Sequence, residues 1–303
     1  MKIRVLGTAA GGGLPQWNCA CPGCRTARAD GRSLRQDTLA VSGDGHSWYL
    51  LNAAPDLHLD APELRPGPGL RETPLRGVIL TSAELDHTTG LIGLREAMSL
   101  TVLATAPVLA TVPALPLLDH YTAVTRRQLT CGVPAALDGG LTVTPFPLGA
   151  KRPRYAASQA ESQSANDWVV GLRLTSGRST FVYAPCLPAW SAELADADLV
   201  LLDGTFFTDD EMLRSTGVRR TARQMGHLPI EESLPLLAPG VRYLYTHLNN
   251  TNPVTRADSA ERAIVRQHGA DIAPEGETLT VKSERPTAAL SVRDPCPQNL
   301  VDL

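Results

Sequence analysis

The apolar run Arg76–Thr81 passes directly into Thr81-Ser82-Ala83-Glu84-Leu85-Asp86-His87. The run reads as a buried strand, and the segment after the loop, Thr88–Met98, reads as a helix with Leu91, Leu94 and Met98 on one face. A strand, a polar loop and a helix in that order is how α/β folds present chemistry at the end of a sheet. This loop places Glu84, Asp86 and His87 within four residues. Oxygen and nitrogen donors converging in this way suit a divalent metal. The same residues also suit a plain helix start, with Asp86 capping the Thr88 helix and His87 a bystander, so the loop alone leaves both readings open.

The grammar recurs along the chain. Lys2–Leu6 reads as a strand leading into Gly7-Thr8-Ala9-Ala10-Gly11-Gly12-Gly13, and Thr38–Val41 with Trp48–Leu51 reads as a hairpin around Gly43-Asp44-Gly45. Leu141–Pro145 is a further strand, Trp168–Thr175 and Ser179–Tyr183 form a second hairpin around Ser176-Gly177-Arg178, and Asp198–Asp203 and Val241–Thr246 are buried strands. Hairpins mixed with helix-linked strands predict mixed sheets covered by helices. Asp203 ends one of these strands, His247 directly follows another, and His227 stands in Met225-Gly226-His227. Several element ends that each present an acid/base or metal-type side chain point to one shared site. His46, His58, His120 and His268 lack such a context and read as surface residues.

The chain has 303 residues and 28 Lys+Arg against 31 Asp+Glu, a net charge of −3. That balance excludes broad electrostatic binding of nucleic acid, since only Arg219-Arg220 and Lys151-Arg152 are locally basic. No stretch approaches the roughly 20 apolar residues of a membrane helix, and Met1–Gly7 lacks the apolar region of a secretory signal, so a cytoplasmic protein is expected. The absence of repeats excludes solenoids. Residues 1–281 read as one domain and 282–303, with Pro286, Pro295 and Pro297, as an irregular tail; Lys151–Asp167, rich in Ser, Gln and Ala, reads as a mobile loop.

Of six cysteines, three crowd into Cys19-Ala20-Cys21-Pro22-Gly23-Cys24, within a loop spanning 17–25. In a reducing compartment, thiolates at this spacing can face one structural zinc, although three ligands leave a tetrahedral site incomplete. Cys131, Cys186 and Cys296 are alternatives for the missing ligand, but single thiols usually serve packing, and they are left outside the site. Gly11-Gly12-Gly13 lacks the Gly-Lys-Ser/Thr ending of a phosphate loop and reads instead as a place of close backbone approach beside the active site.

The loop Ser82–His87 and the late His247 resemble the His-x-His-x-Asp-His loop and late His of the metallo-β-lactamase fold. More closely, Pro15-Gln16-Trp17-Asn18-Cys19, Leu85-Asp86-His87, Leu94-Arg95-Glu96, Met225-Gly226-His227 and His247-Leu248-Asn249-Asn250-Thr251-Asn252-Pro253 resemble the family of pyrroloquinoline quinone (PQQ) biosynthesis protein B, over about Met1 to Thr280. The resemblance implies an α/β protein built as an αββα four-layer sandwich with two mixed β-sheets. Ser82 and Glu84 stand where that fold has two histidines, Gly149 near a third, and Pro185-Cys186 near its bridging aspartate. A dinuclear zinc site is therefore not expected. What remains is Asp86, His87 and His247, with Glu84 beside them, an arrangement that resembles the two-histidine, one-carboxylate set for iron(II) or another divalent metal.

The family is associated with iron- and dioxygen-dependent hydroxylation of the tyrosine moiety in a Glu–Tyr-derived precursor. By that resemblance His227 and Asp203 serve as acid/base or orienting groups, and Arg219, Arg220, Arg223, Asn249 and Asn252 bind the substrate. A related branch, the phosphodiesterases of phosphonate metabolism, completes a similar cysteine cluster with a His three residues after the late His; Asn250 stands there in this chain, so an amide oxygen or a water takes that place. The expected partners are a small-molecule or short-peptide precursor and dioxygen, with room for other proteins of the pathway and for a homodimer. A metal-dependent hydrolase and a non-catalytic carrier of the quinone are the competing readings.

Overall fold

In the computed structural model the described residues are 1–69, 71–157 and 167–283. Most of the tail expected over Lys282–Leu303, and much of the loop expected over Lys151–Asp167, lie outside them.

One sheet is built from β1 (Lys2–Gly7), β2 (Thr38–Ser42), β3 (Trp48–Leu51), β4 (Leu75–Ile79), β5 (Ser99–Thr105) and β6 (Ala123–Leu129). The other is built from β7 (Ala135–Ala136), β8 (Thr142–Gly149), β9 (Val169–Ser176), β10 (Ser179–Ala184), β11 (Leu199–Asp203), β12 (Arg242–Thr246) and β13 (Asp271–Ile272). A last strand, β14 (Thr278–Thr280), returns to the first sheet, which runs β14-β1-β2-β3-β4-β5-β6; the second runs β13-β12-β11-β10-β9-β8-β7. Both are mixed. The two hairpins, β2–β3 and β9–β10, pair antiparallel, whereas β3 through β6 and β10 through β13 pair parallel.

Alternation along the strands sorts side chains into layers. Phe181 and Tyr183 of β10 point between the sheets, where they join Ile3, Val41, Leu51 and Leu244. Val182 and Ala184 point outward onto a helical layer containing Ile230, Leu234 and Val265. On the first sheet Trp48 and Leu50 turn to a second outer layer with Leu91, Val108 and Leu115. Three apolar interfaces therefore separate four layers, and each fully buried Leu or Phe contributes roughly 1.5–3 kcal/mol by leaving water. Among the described residues no helix is long and apolar enough to cross a membrane.

The segment expected to be one helix over Thr88–Met98 is different. A short α-helix, Leu85–Thr88, passes into a 3₁₀ turn, Thr89–Leu94, and Met98 is 72% exposed. Three residues per turn align Leu91 with Leu94 against the core but leave Met98 outside that register. Gly90 enforces the close fit, because a Cβ there would come within 2.1 Å of the Ala54 carbonyl oxygen. Nor does Asp86 cap this helix: Glu84 holds the cap position, without a side-chain bond, and the Asp86 carboxylate turns to His247.

The parallel pairing of β11 with β12 sets Asp203 opposite Thr246, so Asp203 and His247 emerge at the same carboxyl edge. The β4 loop reaches that edge from the other sheet, tied by the bridge Ser82–Val169 and by Val170 N donating to the Thr81 carbonyl.

Candidate metal centre and catalytic cleft

His87 and His247 face each other with their Nε2 atoms 3.3 Å apart, and Asp86 Oδ2 lies 3.3 Å from His247 Nε2. The far side of each ring is held. His87 Nδ1 lies 2.8 Å from Ser82 Oγ, and His247 Nδ1 lies 2.9 Å from Thr205 Oγ1. The Thr205 hydroxyl spends its one proton on Asp203 Oδ1, at 2.6 Å, so it accepts from His247 Nδ1–H and leaves Nε2 as the basic nitrogen. His247 adopts a left-handed backbone, φ 56°, a conformation that costs a side-chain-bearing residue energy and concentrates at functional sites. Its loop is stitched to the loop after β1: Leu248 N donates to Thr8 O and Ala10 N to Leu248 O.

Charge is arranged to match. Burial pushes the His87 imidazole down to about 4, so it is neutral at pH 7. Burial also works against a charged His247, but the hydrogen bond and charge of Asp86 outweigh it and hold that imidazole above its ordinary value. Asp86 resists the upward push of burial because His87 and His247 stand beside it, and its carboxyl lies below the usual range. A cation bound among these atoms would take the place of the proton shared by His247 and Asp86. Two imidazole nitrogens 3.3 Å apart, both held from behind, with the Asp86 carboxylate beside His247 and the Cys186 sulfur within 4.8 Å of both rings, fit a divalent metal.

A second set adjoins the first. His227 Nδ1 donates to Asp203 Oδ2 at 2.7 Å, and its ring stacks on His247 with centroids 5.7 Å apart. Asp203 is buried and also accepts from Leu187 N and Thr205 N; burial would raise it, yet the neighbouring His227 keeps it below the ordinary value. Asp203 thus fixes the tautomer of His227 and frees its Nε2 for proton transfer.

Asp86, His87, His247 and His227 line a cleft of about 310 Å³ that also includes Gly11, Glu84, Arg220 and Asn249, with Asp203 buried behind His227. A Cβ on Gly11 would stand 3.1 Å from Asp86 Oδ2, so the glycine run gives the close approach expected of it. Glu84 pairs with Lys151 at 3.7 Å and, like Asp86, is outside the groups whose donor atoms all fall within 4.8 Å of one another, which at this edge are His87, Cys186 and His247, and Asp203, His227 and His247.

The substrate set needs correction. Arg220 lines the cleft, but Arg219 is exposed and is not among the residues that line it, and the Arg223 guanidinium is engaged by Glu232. Asn252 is 1% exposed and caps the turn Pro253–Thr255 while donating to Gly204 O, so it braces the β11 loop instead of meeting a ligand. Asn249 reaches the cleft, with its Nδ2 bonded to Thr251 Oγ1. The cations that join Arg220 there are Lys151, Arg152 and Arg154.

Cys186, read from the sequence as packing, belongs to the site. Its sulfur lies within 4.8 Å of ligand atoms of both His87 and His247, and burial together with the charges of Asp203 and Asp86 holds the thiol well above its ordinary value. Its place at the end of β10, where the metallo-β-lactamase fold has its bridging aspartate, was the available signal. Asp37, fully buried, accepts from Thr246 Oγ1 and Tyr183 OH beneath the centre, and burial lifts its carboxyl to about 6. Nothing in Arg35-Gln36-Asp37-Thr38 marks it. His46, His58, His120 and His268 are exposed.

The cysteine cluster stands beside this cleft. Cys21 caps the helix Pro22–Ala29, and the three sulfurs of Cys19, Cys21 and Cys24 lie within 4.8 Å of one another. Asn250 Nδ2 stands 3.2, 3.5 and 3.1 Å from them in turn. Turning that amide over would bring its oxygen to the same point, giving four donors of the kind that fit zinc. Leu14, Ala27 and Leu34 pack around the cysteines, so the loop has an apolar anchor as well.

The profile of the β-lactamase superfamily domain matches residues 47–248. Coenzyme PQQ synthesis protein B of Gluconacetobacter diazotrophicus is 41% identical, over 92% of this chain and 99% of that protein. Its counterpart in Azoarcus is 39% identical, over 93% and 100%. The crystal structure of zinc-bound PqqB from Methylobacterium extorquens is 36% identical and superposes with a TM-score of 0.85 over 92% of this chain and 100% of that one. A diphosphatase of the PhnP family, at 17% identity and TM-score 0.62 over 93% and 98%, shares the fold. With this degree of identity along nearly its whole length, the chain belongs to the coenzyme PQQ synthesis protein B family of the β-lactamase superfamily.

Proposed function

We propose that the protein acts in the biosynthesis of PQQ by hydroxylating the tyrosine ring of a Glu–Tyr-derived precursor with dioxygen, at an iron(II) held by His87, His247 and Asp86. The observation that carries this reading is the approach of two imidazole Nε2 atoms from opposite sheets to 3.3 Å, with the Asp86 carboxylate 3.3 Å from one of them. Ser82 and Glu84 offer no further imidazole, so the set leaves metal positions open for small ligands. Iron(II), when bound, supplies the redox chemistry that makes dioxygen reactive toward a ring carbon.

The protein's own residues do the rest. His227, its Nδ1 held by Asp203, presents Nε2 to the cleft and takes the phenolic proton. Arg220, Lys151 and Arg154 line the cleft as positive charges that match substrate carboxylates. One oxygen atom enters a ring C–H bond and the other leaves as water, with two electrons and two protons drawn from an external small-molecule reductant. The cysteine cage holds a structural zinc, a reading supported by the zinc-bound relative from Methylobacterium extorquens.

The test is oxygen uptake by anaerobically iron-loaded protein given a Glu–Tyr peptide and ascorbate. The expected result is peptide-dependent uptake with a product heavier by one oxygen atom. Stoichiometric binding of the peptide or of PQQ without uptake would favour the carrier reading.

A further inference from the structure

Behind Cys186 lies a second, smaller cavity of about 90 Å³, walled by Gly149, Ala150, Val169, Pro188 and Gly226. Cys186, Glu84 and Lys151 line both this cavity and the cleft, so the two spaces share a wall next to the metal-type donors. Its wall is mostly apolar, and Ser82 and Lys151 on it are already engaged. Ser82 Oγ is bonded to His87 Nδ1 and accepts from Glu84 N, and Lys151 donates to Met225 O and pairs with Glu84. A trapped water needs two to four polar partners, whereas an apolar cavity stays dry and takes up apolar solutes such as xenon.

Size narrows the occupant. An apolar cavity that admits benzene measures about 150 Å³, and a liquid water occupies about 30 Å³. The space is therefore too small for a substrate ring and ample for a diatomic gas.

We propose that this cavity is a docking site for dioxygen, holding it beside Cys186 on the way to the metal. The assignment of the gas as dioxygen rests on the oxygenase reading above. Gly149 gives the means to block the cavity: its backbone is not left-handed, and a Cβ there would meet only Pro188 Cγ, at 3.4 Å, an ordinary contact. Gly149→Ala is thus accommodated, and the branched side chain of Gly149→Val fills the space further.

Two measurements on the full-length, metal-loaded protein test this. Crystals of the wild type pressurised with xenon should show a xenon atom in the cavity, and crystals of Gly149→Val should not. In steady-state assays Gly149→Ala and Gly149→Val should raise the KM for dioxygen by about threefold and tenfold, while kcat at saturating oxygen, the KM for the peptide and the iron content stay within twofold. Absence of xenon from the wild-type cavity, or an unchanged KM for dioxygen in both variants, overturns the proposal while the oxygenase reading stands. Absence of any oxygen uptake by the wild type overturns the oxygenase reading and the dioxygen assignment with it.

Discussion

His87 and His247 hang from opposite sheets, 160 residues apart in the chain, and bring their Nε2 atoms within 3.3 Å of each other. One follows β4 and the other β12, so neither sheet alone contains the pair. Metal affinity at this point should therefore rise and fall with the packing of the two sheets, and a metal that bridges them should in turn add to the stability of the sandwich.

The cysteine cage predicts a linked loss of metal and stability. Cys21 is buried, caps the helix Pro22–Ala29 and stands among the cage donors, so Cys21→Ser should lose most of the zinc and about 2 kcal/mol, roughly 5 °C in Tm. Metal analysis and calorimetry on the same preparation check this; unchanged zinc and Tm together would remove the cage from the account.

His227 touches Asp203 and Thr205 and stacks on His247, but the donor pair at 3.3 Å does not include it. His227→Ala should keep most of the metal and lose about 10²- to 10⁴-fold in kcat, the usual loss for an acid/base group. Iron content measured beside turnover separates this outcome from a ligand's, in which both would fall.

Much of this geometry is legible in the sequence because the strands that bear it are short apolar runs with a charged or imidazole side chain at the end. Both hairpins and the β4, β11 and β12 ends were readable for that reason. β5 is hidden because Leu100–Thr111 runs from strand into helix with no charged residue or glycine between them, and β6, Ala-Val-Thr-Arg-Arg-Gln-Leu, is an edge strand with little apolar alternation. Cys186 and Asp37 show the other limit. A single thiol and a single carboxylate carry no spacing, and only the folded sandwich puts them against the histidines.

Glu211 gives a pH dependence of known sign. It is buried, accepts hydrogen bonds from Thr251 Oγ1 and Phe207 N, and burial raises its carboxyl from 4.5 to about 7. Below 4.5 both the folded and unfolded chains hold the proton; between 4.5 and 7 the unfolded chain releases it while the folded one keeps it, so stability falls as pH rises. Above pH 7 the whole cost, roughly 3 kcal/mol, is in place. Urea unfolding at pH 5 and pH 8 should show that Glu211→Gln gains on the wild type at the higher pH. An equal gap between the two proteins at both pH values would contradict it.

The first sheet closes through β14. Leu279 and Val281 are buried between the sheets, and Val281 N donates to Met1 O. Truncation after Lys282 should leave Tm unchanged, whereas truncation before Thr278 should cost about 3 kcal/mol or more from two lost apolar side chains. Thermal melts of the two truncated chains check this, and a large drop for the longer one would show that the residues after Lys282 contribute to the fold.

The most direct test of the central claim is to measure iron content and Glu–Tyr-dependent oxygen uptake together in His87→Ala and His247→Ala. Both variants should lose retained iron and oxygen uptake while keeping the zinc of the cysteine cage, because the two sites share no ligand. Full oxygen uptake on the peptide in either variant would contradict an iron centre built by these two histidines and Asp86.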